Sequence, residues 1–345
     1  MIMSESLDER KRRTRQLIVG ILALPLSVLP FVGYLSLTPE GRSVRDQVRV
    51  VLAPPELPRL SRGQVLAAAR RAPRYKGAVM LLAYHGVGST SDAEGGFVVS
   101  PARFAEHLAI LRAAGMHTVT ARQVADAFGN GAALPPNAVM ISFDDGRSDA
   151  MMFADPLLDQ AGMVATMFVI TDAASEPGVY YAGWDDIEAY AHSGRWDIEA
   201  HTAALHREQR TEGGQMLPAL TSLTHGESLG SYRDRIRRDL ARASTAIEAH
   251  VGVPAVAFAY PFGAYGKDRS NNLAVRRIVR EEVSRRYLVA FHQDEQATIP
   301  LATCADVPLE LRRLEVQSWS GVELLERIER APQQRASAER CAGAH

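Results

Sequence analysis

The chain predicts a parallel α/β architecture of barrel type, standing behind one N-terminal membrane-spanning helix. Three observations carry this. From residue 78 onward, strand-like apolar runs alternate with helical stretches, the pattern of a parallel sheet with helical crossovers. The alternation runs on for ~250 residues, the usual size of a (β/α) barrel. Ahead of it, residues 16–39 carry no charged side chain and follow a basic cluster.

Taken in order, residues 1–15 form a basic segment with Arg10, Lys11, Arg12, Arg13 and Arg15. Residues 16–37 are mostly Leu, Ile, Val, Ala and Pro. At 1.5 Å per residue, about 20 apolar residues span a hydrocarbon core of about 30 Å. Pro25 and Pro30 are compatible with a membrane helix. The basic cluster orients the N-terminus to the cytoplasm and the rest of the chain outside. A cleaved signal peptide needs a shorter core and a small-x-small site, and Tyr34-Leu35-Ser36-Leu37 makes a poor one. A buried core helix would give the basic cluster no role. The reading is therefore an uncleaved single-pass signal anchor.

Residues 38–76 read as a spacer, with Pro39, Pro54, Pro55 and Pro58 and a helical pattern at Arg62–Arg71. Strands are expected at Ala78–Tyr84, Ala138–Phe143, Val164–Ile170, Trp196–Ala200, Val256–Tyr260 and Tyr287–Phe291. Helices are expected at Pro101–Ala114, near Asp155–Gln160, at Trp184–His192 and at Tyr232–His250. Arg207–Ser231 shows no clear periodicity. The catalytic-size domain is bounded at 77–327, and residues 328–345, polar and Ala-rich, read as a disordered tail.

Composition narrows the function classes. With 39 basic and 40 acidic residues the net charge is -1, which lacks the electrostatic footprint of a general nucleic-acid binder. The two cysteines, Cys304 and Cys341, lie in no zinc-binding spacing, leaving a disulfide between them open. Any metal must then be held by histidine and carboxylate.

Four short segments fall at or just after predicted strand ends, the end that carries the active site in parallel barrels. Phe143-Asp144-Asp145-Gly146 puts two adjacent carboxylates there. They repel unless a cation joins them, although Asp-Gly is also a common turn dipeptide. His201-Thr202-Ala203-Ala204-Leu205-His206 offers two imidazoles that one metal could share, and imidazole with carboxylate suits zinc and related divalent ions. Two unrelated loop histidines is the plainer alternative. Ala259-Tyr260-Pro261-Phe262-Gly263-Ala264-Tyr265 combines a tight turn with aromatics suited to stacking on a sugar. Tyr84-His85-Gly86-Val87-Gly88 ends the first strand.

In this order the segments resemble the polysaccharide deacetylases with a NodB-homology domain (carbohydrate esterase family four). They are most similar to the PgaB/IcaB-type branch of poly-β-1,6-N-acetylglucosamine deacetylases. The likeness covers about residues 77–318. It implies a distorted (β/α) barrel of about seven parallel strands. It also implies one divalent ion, zinc ahead of nickel, cobalt or iron, held by Asp145, His201 and His206. Asp144 would be the general base and His85 the general acid, preferred over His292. The Phe262 backbone N–H would stabilise the oxyanion. Tyr84, Tyr260, Pro261, Phe262 and Gly263 would line the substrate groove. In the wider family an Arg commonly precedes the third-motif proline by two residues. Ala259 stands there, which leaves open what orients Asp144.

The implied activity is removal of acetyl groups from N-acetylglucosamine units of an exopolysaccharide, with release of acetate. Peptidoglycan or chitin-type glycan is the alternative substrate. A catalytically inactive glycan-binding accessory protein is the alternative of a different class. The anchor implies a domain held outside the cell membrane, where an N-acetylated polysaccharide and a polysaccharide synthase are the expected partners and nucleic acid is not.

Overall fold

The computed structural model describes residues 33–34, 38–88, 97–294, 299 and 301–331. The chain divides into two units, residues 1–54 and 55–345. In the first, helix α1 (Pro39–Leu52) starts at an N-cap, Thr38, whose hydroxyl accepts from the Gly41 N–H at 3.0 Å. The expected membrane span lies, except for residues 33 and 34, outside the described residues. Among the described residues no helix is long and apolar enough to cross a membrane.

The second unit opens with α2 (Arg62–Arg71), closed by a Ser61/Gln64 capping box. Strand β1 (Ala78–Tyr84) follows, then short β2 (Gly86–Val87) and β3 (Val98–Val99), and helix α3 (Pro101–Ala113). Next come β4 (His117–Val119), α4 (Ala121–Asn130), β5 (Ala138–Phe143), α5 (Ser148–Ala161), β6 (Ala165–Val169) and α6 (Thr171–Ser175). Helix α7 (Trp184–His192), β7 (Trp196–Ala200) and a hairpin of β8 (Glu208–Arg210) and β9 (Met216–Pro218) lead to the long α8 (Leu229–Val251). The unit ends with β10 (Ala257–Ala259), α9 (Val275–Ser284), β11 (Val289–Asp294), β12 (Leu301–Thr303), β13 (Leu311–Glu315) and α10 (Gly321–Glu329).

Among the described residues, seven parallel strands close a barrel in the order β1-β5-β6-β7-β10-β11-β13 and back to β1. The barrel part of the expected fold class is therefore found. Strands β1 and β5 are buried along their whole length, as expected where helices cover the outer face and side chains fill the inside. Near their start, β12 flanks β1 in antiparallel fashion and β4 flanks β5.

Helix α4 packs beneath the barrel. Its Val124 and Ala125 join Val79, Ala138, Ala257 and Val289, which stand at or near the starts of four barrel strands, in one apolar cluster. Its first turn is tied to the same end, where the Arg122 guanidinium donates to Glu199 at 3.2 Å and to the Pro254 carbonyl at 2.8 Å. The N-terminal mouth is thereby plugged, and the C-terminal rim is left for chemistry.

Several elements go beyond the expectations. Helix α5 begins at Ser148 and carries Pro156 inside it. The featureless stretch after His206 contains the β8–β9 hairpin. Strands β4, β12 and β13 and helices α4, α9 and α10 were not expected. Helix α10 runs two residues past the expected boundary at 327, and residues 332–345 lie outside the described residues. Cys304 is disulfide-bonded.

Candidate active site

Strand alternation decides which side chains reach the barrel interior, because successive residues point to opposite faces. In β1, Val79 and Leu81 join the interior cluster, so the series continues through Ala83 to His85. In β5 the inward series ends at Ser142 and Asp144. In β13 it is Leu311, Arg313 and Glu315. The lower layers of the barrel are apolar, and the top layer is polar.

Asp144 and Arg313 are fully buried and joined by two charge-assisted bonds. The guanidinium donates to both carboxylate oxygens at 2.7 Å. Arg313 also donates to Ser142 Oγ at 2.9 Å and to Gln293 Oε1 at 2.8 Å. Burial alone would push the Asp144 carboxyl up. The Arg313 charge and its hydrogen bonds outweigh that and hold the group well below the usual carboxylate range. Arg313 thus does what the missing arginine before the third motif leaves undone.

His85 and Glu315 form the second pair, with His85 Nδ1 2.9 Å from Glu315 Oε1. Burial opposes protonation of the imidazole. The Glu315 carboxylate overcomes this, assisted by Asp144 and Asp145, and raises His85 to about 9. His292 lies on the other face of β11 from Gln293, its ring against Tyr265. His85 thus sits beside Asp144 at the inward rim, and His292 does not.

Asp145, His201 and His206 come together as expected. Their ligand atoms lie within 4.8 Å of one another. Asp145 Oδ1 is 3.6 Å from His201 Nε2 and 3.3 Å from His206 Nε2, yet that buried oxygen accepts no hydrogen bond. His201 donates from Nδ1 to the Ala259 carbonyl at 2.8 Å, which turns Nε2 toward Asp145. Burial lowers His201 to about 4, so its imidazole is neutral and its lone pair available, as a metal ligand requires. A buried carboxylate oxygen without a partner, facing two imidazole nitrogens, fits a divalent cation.

The backbone around this group is unusual. Asp145, Thr202 and Phe262 adopt φ of +73°, +72° and +56°. A β-branched residue rarely does so, and such residues cluster at functional sites. Gly263 shows why the third motif needs glycine. At φ +65°, a Cβ there would sit 2.6 Å from the Gln293 carbonyl oxygen.

The expected substrate-lining set is corrected in part. Phe262 is exposed, with its ring stacked on His206 at 4.5 Å, and Gly263 lies beside it at the rim. Tyr84 does not line the groove. One residue before an inward-facing histidine, it points to the helix layer, is wholly buried, and donates to His107 Nδ1 at 3.1 Å. Tyr260, next to the inward-facing Ala259, is also turned outward and donates to the Leu309 carbonyl at 3.0 Å, and Pro261 is buried beneath the turn. These three shape the rim without facing a ligand.

Arg313, Glu315 and Gln293 are the site residues the sequence reading missed. The one signal for Arg313 and Glu315 is the alternation in Leu311-Arg312-Arg313-Leu314-Glu315, where two of the three inward positions are charged.

Residues 131–277 match the family described as polysaccharide deacetylase. That span holds Asp144, Asp145, His201, His206 and the third motif, but not His85, Arg313 or Glu315. A poly-β-1,6-N-acetyl-D-glucosamine N-deacetylase of Escherichia coli K12 is 24% identical over 217 residues, covering 57% of this chain and 32% of the relative. The chain thus spans about a third of the length of the curated relatives it matches. Among solved structures, a de-N-acetylase from Aggregatibacter actinomycetemcomitans aligns with a TM-score of 0.59 at 21% identity, over 72% of this chain and 99% of that one. IcaB from Ammonifex degensii aligns at 0.58 and 22%, over 73% and 97%. The deacetylase PplD of Streptococcus pyogenes aligns at 0.57 and 20%, over 74% and 99%. These likenesses cover more of the chain than the matched span. The chain carries a polysaccharide deacetylase domain.

Proposed function

We propose that the protein is a metal-dependent N-deacetylase acting on N-acetylglucosamine units of a poly-β-1,6-N-acetylglucosamine-like exopolysaccharide. One observation carries the reading. The partnerless Asp145 oxygen faces two imidazoles, with an ionised carboxylate and a protonated histidine beside it.

Asp145, His201 and His206 would hold a divalent ion, zinc by this donor set with nickel, cobalt or iron as alternatives. When bound, such an ion supplies Lewis acidity at the acetyl group. Asp144, kept ionised by Arg313, accepts a proton from the attacking water. The Phe262 backbone N–H is the proposed donor to the developing oxyanion, a contribution of about 3–4 kcal/mol where such a donor acts. His85, kept protonated by Glu315, gives its proton to the sugar nitrogen as the carbon–nitrogen bond breaks. Acetate leaves, and the sugar keeps a free amine. The exposed Phe262 face is the stacking surface for a sugar ring.

The substrate assignment draws on the E. coli relative. The intact Asp144–Arg313 and His85–Glu315 pairs argue against an inactive glycan-binding protein. Residues 16–37 are proposed to anchor the chain, N-terminus inside, with the barrel outside the cell membrane and a polysaccharide synthase as a partner. A disulfide-bonded Cys304 supports an oxidising compartment.

The test is acetate release by the purified full-length protein from β-1,6- and β-1,4-linked N-acetylglucosamine oligomers, with chelator and metal add-back. Chelator-sensitive release from the β-1,6 oligomer supports the proposal. Release from the β-1,4 oligomer alone keeps the chemistry and moves the substrate to chitin-type or wall glycans. No release from either rejects the activity on these glycans.

A further inference from the structure

The two histidine ligands are separated by a short loop, and that loop is held from outside the barrel. Asp239 lies on α8 and is largely buried. Its Oδ1 accepts the Ala203 N–H at 3.0 Å and its Oδ2 accepts the Ala204 N–H at 2.8 Å. The preceding residue, Thr202, is the one at φ +72°. Successive amides beside a left-handed residue form an anion-binding concavity, and here Asp239 fills it. Only a carboxylate offers an acceptor oxygen to each of the two donors. The opposite side of the loop is tied as well. The carbonyls of Thr202 and Ala203 accept from the N–H groups of Thr171 and Asp172 at 3.2 and 3.1 Å.

We infer that Asp239 is a positioning residue for the metal-ligand pair, holding the strained His201–His206 segment in its ligating shape before an ion arrives. The inference rests on the metal-site reading above. Asp239 touches neither ligand side chain. It acts through the backbone between them, and so sets affinity for the ion more than the chemistry of turnover. Outer groups that orient ligands commonly change metal affinity 10–100-fold when removed.

Asp239→Asn keeps the shape and replaces one acceptor oxygen with an amide that meets an N–H. The control is Arg277→Ala, which breaks the exposed Arg277–Glu281 ion pair on α9 and leaves the loop contacts alone. Cobalt titration of the metal-free full-length proteins, followed by visible absorption, reads the site directly. The expected result is a dissociation constant raised about 10–100-fold in D239N, with altered band intensities and with acetate release restored at saturating metal. R277A stays within about twofold of wild type on the same scale. Equal affinity in D239N and wild type overturns the inference. A wild-type protein that binds no cobalt overturns the metal-site reading itself, which is a different outcome. Amide exchange of Ala204 in metal-free wild type needs no variant. Its side chain is exposed, so a protected amide is expected only if Asp239 holds it, and free exchange overturns the inference even if D239N fails to fold.

Discussion

Arg313 and Asp144 meet as a two-pronged ion pair inside the barrel, and neither side chain touches solvent. The pair joins the last barrel strand to the residue proposed to accept the catalytic proton. Breaking such a buried pair from one side costs about 3–5 kcal/mol, because the other charge is left without compensation. Arg313→Met is therefore expected to lower stability by that amount in chemical denaturation and to abolish acetate release. Full stability in the variant would mean that the pair does not hold Asp144.

Asp144→Asn removes the charge and keeps the shape. Loss of a general base typically costs 10²–10⁴-fold, so turnover should fall within about that range. Cobalt affinity should be retained, because Asp144 is not among the three ligands. Turnover close to wild type would reassign the base.

The His85–Glu315 pair has a pH signature. The imidazole is raised to about 9 from an ordinary 6.5. A base whose folded value is raised contributes stability that is complete below 6.5 and is lost as pH rises through about 9. NMR titration of metal-free protein should find the His85 ring protonated at neutral pH. Glu315→Gln should move its midpoint down, and with it the alkaline limb of kcat/KM. An unchanged limb would remove His85 from the proton-donor role.

His107 behaves in the opposite sense. Its ring is neutral, accepting from the Tyr84 hydroxyl and donating from Nε2 to the Trp319 carbonyl at 2.8 Å. Burial lowers it to about 4. The unfolded ring protonates near 6.5, so stability is complete above that value and is lost as pH falls toward 4. At about 1.4 kcal/mol per unit, the loss should be about 3 kcal/mol. Urea denaturation of wild type against His107→Gln between pH 7 and pH 4 measures it, and the variant should lack this acid-dependent share.

A divalent ion that binds only the folded site should raise the melting temperature. At 100 times its dissociation constant the gain is about 2.7 kcal/mol. His206→Ala should abolish most of that shift and leave the melting of metal-free protein near wild type. An equal shift in the variant would place the ion elsewhere.

The parts of the fold legible in the sequence share one property. Strands β1 and β5 are apolar runs whose far ends carry Tyr84-His85 and Asp144-Asp145, so hydrophobicity marks the strand and chemistry marks its end; β7 alternates apolar with acidic residues before His201. Strand β13 inverts that pattern. Its inward positions are Arg313 and Glu315, and its short charged run reads as surface until the partners Asp144 and His85 are known. Tyr84 and Tyr260 were misread because proximity in a motif says nothing about which face of the strand a side chain takes. Once His85 and Ala259 are inward, alternation sends Tyr84 and Tyr260 outward. The Asp239 contact joins positions more than 30 residues apart, a separation that no local pattern reveals.

Strand β13 fills the gap between β11 and β1 and carries the partners of both proton-handling groups. The step that completes the cylinder is therefore also the step that arms it. A molecule still open along this seam, whether nascent, frayed or truncated before residue 311, has Asp144 without its counter-charge and His85 without its carboxylate. Under the proposed roles such a molecule would be catalytically silent even with Asp145, His201 and His206 in place. On the proposed mechanism, hydrolytic competence would report on completed folding and would arise only after the last strand has docked.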